Sequence, residues 1–175
     1  QAEDAGLVKI DLLGNRSLAV IRDALAAVHH NTGRLIDYEL WDPISDPVTQ
    51  ELIRRGDTMG CFYVESPATR LLLKKLWTTM PQARRAHADV FEYLVVVSSI
   101  IRPAANVYAE DFIRRSHGHP YRSWHPLLDE VLAETHGIMV YQEDVMKVAV
   151  ALGGFSVHDG DQLRKILSKK HKERQ

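Results

Sequence analysis

The sequence predicts a mainly α-helical fold that opens on a short β element, and three observations carry that prediction. Apolar residues recur every three or four positions through most of the chain, the spacing that lines one face of a helix. Aspartate–proline, serine–proline and histidine–proline pairs start several of these segments, and glycines end them. Alternation of apolar and charged residues is confined to residues 6–14, with one further β-rich stretch at 59–64. A length of 175 residues suits one domain or a contiguous piece of a larger one. With 45% hydrophobic and 26% charged residues, the chain is not composed like a disordered one.

In residues 6–14 the alternation puts Leu7, Lys9 and Asp11 on one side of a strand. Val8, Ile10 and Leu12 then face a core. Aspartate can hold a divalent metal and lysine a phosphate, but a half-buried strand with its charged side in water explains the same pattern. Leu18, Ile21, Leu25 and Val28 predict the first helix, closed by Gly33. Residues 35–46 read as a loop. Asp46 and Pro47 cap and start a helix to Arg55, and Ser66 and Pro67 start another to Thr78, with Leu72, Leu73 and Leu76 inward. Pro81 breaks it.

Residues 89–101 are apolar on most sides and predict a central buried helix, ended by Arg102 and Pro103. An amphipathic helix over 106–115 leads to a polar turn through Gly118, His119 and Pro120. His125 and Pro126 open a helix with Leu127, Leu128, Val131 and Leu132 as its stripe, and Gly137 stops it. Residues 142–152 form a helix ended by Gly153 and Gly154. Oxygens from residues 156–161 cap a last helix that carries Arg164, Lys165, Lys169 and Lys170.

A formal net charge of -1 gives no global attraction to nucleic acid, so any such binding must come from local patches. The charge is uneven, at -5 over residues 1–66 and +4 over 67–175, with six basic residues after position 162. Cys61 stands alone, so no internal disulfide forms. The opening residues lack a signal-peptide pattern, and the longest apolar run, 94–101, is far too short to cross a bilayer. These features set the expectation of a cytoplasmic protein without membrane contact. The chain lacks a starting methionine and begins almost on a strand, so it is expected to be a cut piece. His117, His119 and His125 have poor zinc spacing, and the carboxylates of Asp159 and Asp161 suit helix capping better than metal binding.

Four stretches are more specific: G-L-V-K-I-D-L-L-G at 6–14, D-T-M-G-C-F-Y-V-E-S-P at 57–67, I-I-R-P-A-A-N at 100–106, and H-P-L-L-D-E-V-L-A-E-T-H-G-I-M-V-Y-Q-E-D-V-M at 125–146 followed by D-Q-L-R-K-I-L-S-K-K at 161–170. Their order and spacing resemble the bacterial DNA polymerase III alpha subunit, the C-family replicative polymerase, over nearly the whole chain. The resemblance implies that residues 1–17 are the last strand of the palm domain and that 18–175 are the N-terminal half of the helical fingers. It implies that Asp11 is one of three catalytic carboxylates holding Mg²⁺, the other two lying on an upstream strand outside this chain. Lys9 then sits near primer or nucleotide phosphates. Arg164 and Lys165 occupy the family's paired-arginine positions against the triphosphate, and Arg102 and Gln142 are further nucleotide contacts. Lys169 and Lys170 suit DNA phosphates, a run that otherwise reads as a solvated tail.

Two-metal phosphoryl transfer needs carboxylates that bridge hard cations, and cationic side chains on the transferring phosphate. One aspartate cannot build that site, so the piece alone is expected to be inactive. Implied partners are primer–template DNA, deoxynucleoside triphosphates and the rest of the polymerase chain. A sliding clamp and other replisome subunits bind through regions elsewhere. Lys165 departs from the family's arginine and lacks the planar fork. Tyr63 stands where glutamine is usual, and Ala104 where Arg-Pro-Gly-Pro has glycine. These departures suggest an accessory or error-prone copy. A non-catalytic helical module that binds nucleic acid or protein is the alternative.

Overall fold

The computed structural model describes residues 6, 10, 14–101 and 106–172, with the side chains of 106 and 168–172 left out of the account. Nine α-helices run through the described residues: α1 (Arg16–Thr32), α2 (Pro47–Arg55), α3 (Pro67–Thr78), α4 (Gln82–Arg85), α5 (Val90–Ile100), α6 (Asn106–Ser116), α7 (Pro126–Val131), α8 (Gln142–Gly153) and α9 (Val157–Lys172). The chain divides into two compact units, residues 1–42 and 43–175.

The first unit is α1 with its flanking segments. Asn15 caps it by accepting from the Ser17 N–H at 3.0 Å, and Gly33 closes it at φ 70°, in the left-handed region that glycine enters without cost. No α1 residue is buried, and Leu18 is exposed where the periodicity predicts an inward face. The opening strand falls largely outside the described residues. Ile10, which alternation turns toward a core, is exposed and lies in no strand. Among the described residues there is no second strand to pair with, and an unpaired strand has no ladder to hold it.

In the second unit, local chemistry sets the helix starts. Asp46 accepts from the Thr49 N–H at 2.6 Å ahead of Pro47, and Ser66 accepts from the Thr69 N–H at 3.2 Å ahead of Pro67. Gly56 ends α2 at φ 67°, and a Cβ there would stand 2.4 Å from the Arg70 carbonyl oxygen. Both the backbone angle and the close approach of α2 to α3 therefore require glycine.

Leu73, Leu76 and Trp77 of α3, Val90, Val96, Val97 and Ile100 of α5, and Phe112 and Ile113 of α6 form the core. Burying each large side chain contributes about 1.5–3 kcal/mol. Trp77, Tyr93, Phe112 and His136 form a chain of ring contacts with centroids 5.4–5.9 Å apart. The central helix α5 is not buried all round, because Phe91, Glu92 and Val95 face out. Leu127 of the α7 stripe is exposed as well.

The strand expected at 59–64 is instead a turn-rich loop. Its backbone bonds are local, Cys61 N–H to Thr58 C=O and Val64 N–H to Cys61 C=O, and the buried Thr58 hydroxyl donates to the Val64 carbonyl at 2.6 Å. Tyr63 takes φ 71° there, and both it and Phe62 are exposed. Aromatic and β-branched composition suggests a strand, but among the described residues no neighbouring strand supplies a ladder.

Candidate functional site

Helices α8 and α9 bring together three of the residues singled out for phosphate chemistry. Asp144, only 2% exposed, fixes the start of α8 by accepting from the Val140 and Tyr141 N–H groups at 2.9 and 2.8 Å. Gln142 is thereby held at the first position of α8. At the start of α9, Ser156 accepts from the Asp159 N–H at 3.1 Å, and its hydroxyl donates back to the Asp159 carboxylate at 2.6 Å.

Gly160 is where the two helices touch. A Cβ there would lie 3.0 Å from Met146 Cγ and 3.4 Å from the Met146 carbonyl oxygen, so the missing side chain sets how closely α9 crosses α8. One turn further along α9, that approach lets Arg164 reach Gln142, whose side-chain oxygen accepts from Nη1 at 3.2 Å.

Asp161 links the pair of cations. Arg164 donates to it through Nε at 2.9 Å and Nη2 at 2.7 Å, and Lys165 Nζ lies 3.0 Å from its other oxygen. Hydrogen bonds from Lys165 and then Arg164 hold the Asp161 carboxyl below the usual carboxylate range. The Arg164 side chain is 25% exposed and that of Lys165 47%, so water and a ligand can reach both. The cluster of two cations and one carboxylate keeps a net positive charge beside a side-chain amide. Such a set can receive an anionic oxygen-rich group once Arg164 exchanges its carboxylate partner for the ligand.

The sequence reading placed Asp161 with Asp159 as a cap. The cap of α9 is Ser156, whose hydroxyl donates to the Asp159 carboxylate, and Asp161 instead pairs with Arg164 and Lys165 and neutralises part of their charge. The signal was present in the i, i+3, i+4 spacing of D-Q-L-R-K. Lys169 and Lys170 lie on α9 beyond Lys165. Lys9, Asp11 and Arg102 fall outside the described residues. Among the described residues no group of three or more His, Cys, Asp or Glu side chains could hold a metal ion. His117, just past the end of α6, donates its Nε2–H to the Leu76 carbonyl at 2.8 Å and so ties that end of α6 to α3. Nor is any helix among the described residues long and apolar enough to cross a membrane.

The family model described as the bacterial DNA polymerase III alpha subunit finger domain matches residues 17–175. The chain is 38% identical over 171 residues to the DNA polymerase III subunit alpha of Neisseria meningitidis serogroup B, covering 98% of this chain and 14% of that one. It is 37% identical over 169 residues to the corresponding subunit of Chlamydia pneumoniae, covering 96% and 13%. With that of Staphylococcus aureus strain COL it shares 36% over 173 residues, covering 98% and 15%. The chain thus spans about one seventh of the length of the curated relatives it matches.

Proposed function

Because this chain belongs to the bacterial DNA polymerase III alpha subunit finger-domain family, we propose that it supplies the nucleotide-facing fingers of a template-directed DNA polymerase. In this reading residues 1–17 close the palm and 18–175 open the fingers. The parent adds deoxynucleotides to a primer 3′ end and releases pyrophosphate. Its partners are primer–template DNA, the incoming triphosphate and the remainder of the polymerase, with clamp and replisome subunits meeting other regions in the cytoplasm.

The observation that carries this reading is the Gln142–Arg164–Asp161–Lys165 constellation at the α8–α9 crossing. A triphosphate arriving there replaces Asp161 as the acceptor for the Arg164 fork, and Lys165 follows as a point charge. Gln142, released from Arg164, offers an amide to the nucleotide. Positioning and charge neutralisation are the protein's main contributions to phosphoryl transfer. Asp11 is the residue of this chain that would hold Mg²⁺, together with carboxylates from elsewhere in the parent. When bound, the metal ions offset charge on the transferring phosphate and activate the primer hydroxyl.

The test is nucleotide binding and primer extension by the full-length protein. Arg164→Ala is expected to weaken triphosphate binding about tenfold, the loss of roughly one charge-assisted bond. Asp11→Asn is expected to abolish extension. Extension by Asp11→Asn at the unaltered rate would overturn the catalytic assignment, and unchanged nucleotide affinity in Arg164→Ala would overturn the site. A parent that binds DNA but extends no primer would favour the non-catalytic module.

A further inference from the structure

The groove between α2 and α3, flanked by the end of α4, holds a cavity of about 380 Å³ that shares no lining residue with the α8–α9 site. Four cations line it, Arg54, Arg55, Lys74 and Arg85, against the carboxylates of Glu51 and Asp57. Glu51 is shared between two of them, with Arg55 Nε at 3.0 Å and Arg85 Nη2 at 3.6 Å. Lys74 forms no ion pair among the described residues. Among the described residues Arg54 has a long bond from Nη2 to the Gln50 side chain, 3.4 Å, and the face of the Trp77 ring 5.4 Å away.

Two buried donors beside this groove have no acceptor among the described residues. Trp77 is fully buried, yet its indole N–H meets no partner, and neither does the buried Nε of Arg54. A buried donor left without an acceptor costs about 1–3 kcal/mol, but both atoms are closed to water and so to a ligand in the groove. The carbonyl end of α3 lies at this groove and draws positive charge to it, but it supplies no acceptor to either N–H. An oxygen-rich anion would balance the surplus of four cations over two carboxylates that line the groove.

We propose that this groove is a second phosphate site, separate from the α8–α9 cluster, and that the phosphate it takes is a phosphodiester of a nucleic-acid strand. The choice of a strand as the source rests on the polymerase reading above; the phosphate chemistry does not. The fingers then grip DNA through α2 and α3 while α8 and α9 take the nucleotide.

The experiment uses the full-length protein as wild type, Lys74→Gln, Lys74→Arg and Arg164→Ala. Each is titrated with a labelled primer–template at several salt concentrations, with a deoxynucleoside triphosphate, and with inorganic phosphate. Lys74→Gln is expected to weaken DNA binding several-fold regardless of sequence and to lower the log–log salt slope by about 0.9, the loss of one phosphate contact. Lys74→Arg should restore both, and triphosphate affinity should not change. If Lys74→Gln instead weakens phosphate or triphosphate binding while DNA binding holds, the anion site stands and the strand is overturned as its source. If Lys74→Gln changes none of the three, the site is overturned, and loss of triphosphate binding in Arg164→Ala would show the polymerase reading surviving it. A wild type that binds no DNA overturns the strand and that reading together.

Discussion

The same five-residue pattern occurs twice in this chain and does two different jobs. Asp111-Phe112-Ile113-Arg114-Arg115 on α6 and Asp161-Gln162-Leu163-Arg164-Lys165 on α9 both place a carboxylate three and four residues ahead of two cations. In both, hydrogen bonds from those cations keep the carboxyl below the usual range; at Asp111 they do so against burial, which works the other way and is the largest single influence. On α6 the second cation is enclosed. The Arg115 side chain is 16% exposed, its guanidinium stacks 4.3 Å from the Tyr121 ring centre, and Nη1 donates to the His136 carbonyl at 3.0 Å. On α9 the second cation, Lys165, is 47% exposed, and Arg164 reaches the exposed Gln142 side chain. What surrounds the pattern decides whether it is a clamp or a binding site.

Breaking the enclosed copy should have the largest effect. Arg115→Ala removes the bond to the His136 carbonyl, the ion pair with Asp111 and the stack on Tyr121, leaving partly buried acceptors unpaired. The expected loss of unfolding free energy in chemical denaturation is about 2–4 kcal/mol. Arg164→Ala, losing half-exposed partners, should stay within about 1 kcal/mol. Equal losses for the two arginines would erase the distinction between the copies.

The enclosed side should also carry a pH dependence in the histidine range. Burial, and after it the charges of Arg84 and Arg115, hold the His136 imidazole below its ordinary value of 6.5, while its Nε2 lies 3.1 Å from the Tyr93 hydroxyl. Below pH 6.5 the unfolded chain therefore takes up a proton that the folded chain refuses. The associated stability is fully present above that pH and declines as pH falls below it, by at most about 1.4 kcal/mol per pH unit for one proton. His136 also adopts φ 54°, which asparagine tolerates, so His136→Asn removes the titration without demanding a new backbone. Denaturation midpoints followed from pH 7 to 5 should fall less steeply in that variant than in the wild type. Parallel profiles would remove His136 as the source.

Much of this was legible in the residues, for reasons that are local. Asp46–Pro47 and Ser66–Pro67 set the starts of α2 and α3 because a cap and a proline act within one turn. The loop at 59–64 was misread as a strand because Phe62 and Tyr63 carry strand propensity, whereas a strand exists only with a partner. Arg164 and Lys165 were singled out through family resemblance, and their link to Asp161 could be read from spacing. The Gln142–Arg164 contact could not, since it spans 22 positions and depends on the close crossing that Gly160 permits. The orphaned donors of Arg54 and Trp77 were equally hidden. Only packing reveals which buried N–H goes unanswered.

The smallest expected effect is the sharpest test of the open copy. Asp161 competes with any incoming anion for the Arg164 fork, so removing its charge should loosen the cations without disturbing the helix that carries them. Asp161→Asn keeps the side-chain shape, and a partly exposed i, i+3, i+4 pairing contributes so little that denaturation should shift by less than about 1 kcal/mol. Triphosphate affinity in the full-length protein, measured near neutral pH and low salt, should rise a few-fold. Asp111→Asn on α6 should lower stability by more and leave triphosphate affinity unaltered, because Arg115 is held by Tyr121 and the His136 carbonyl as well. If Asp161→Asn weakens nucleotide binding instead, the carboxylate orients Arg164 for the ligand and does not compete with it. The pairing on α9 would then be a support for the binding residue, as the one on α6 is for the fold.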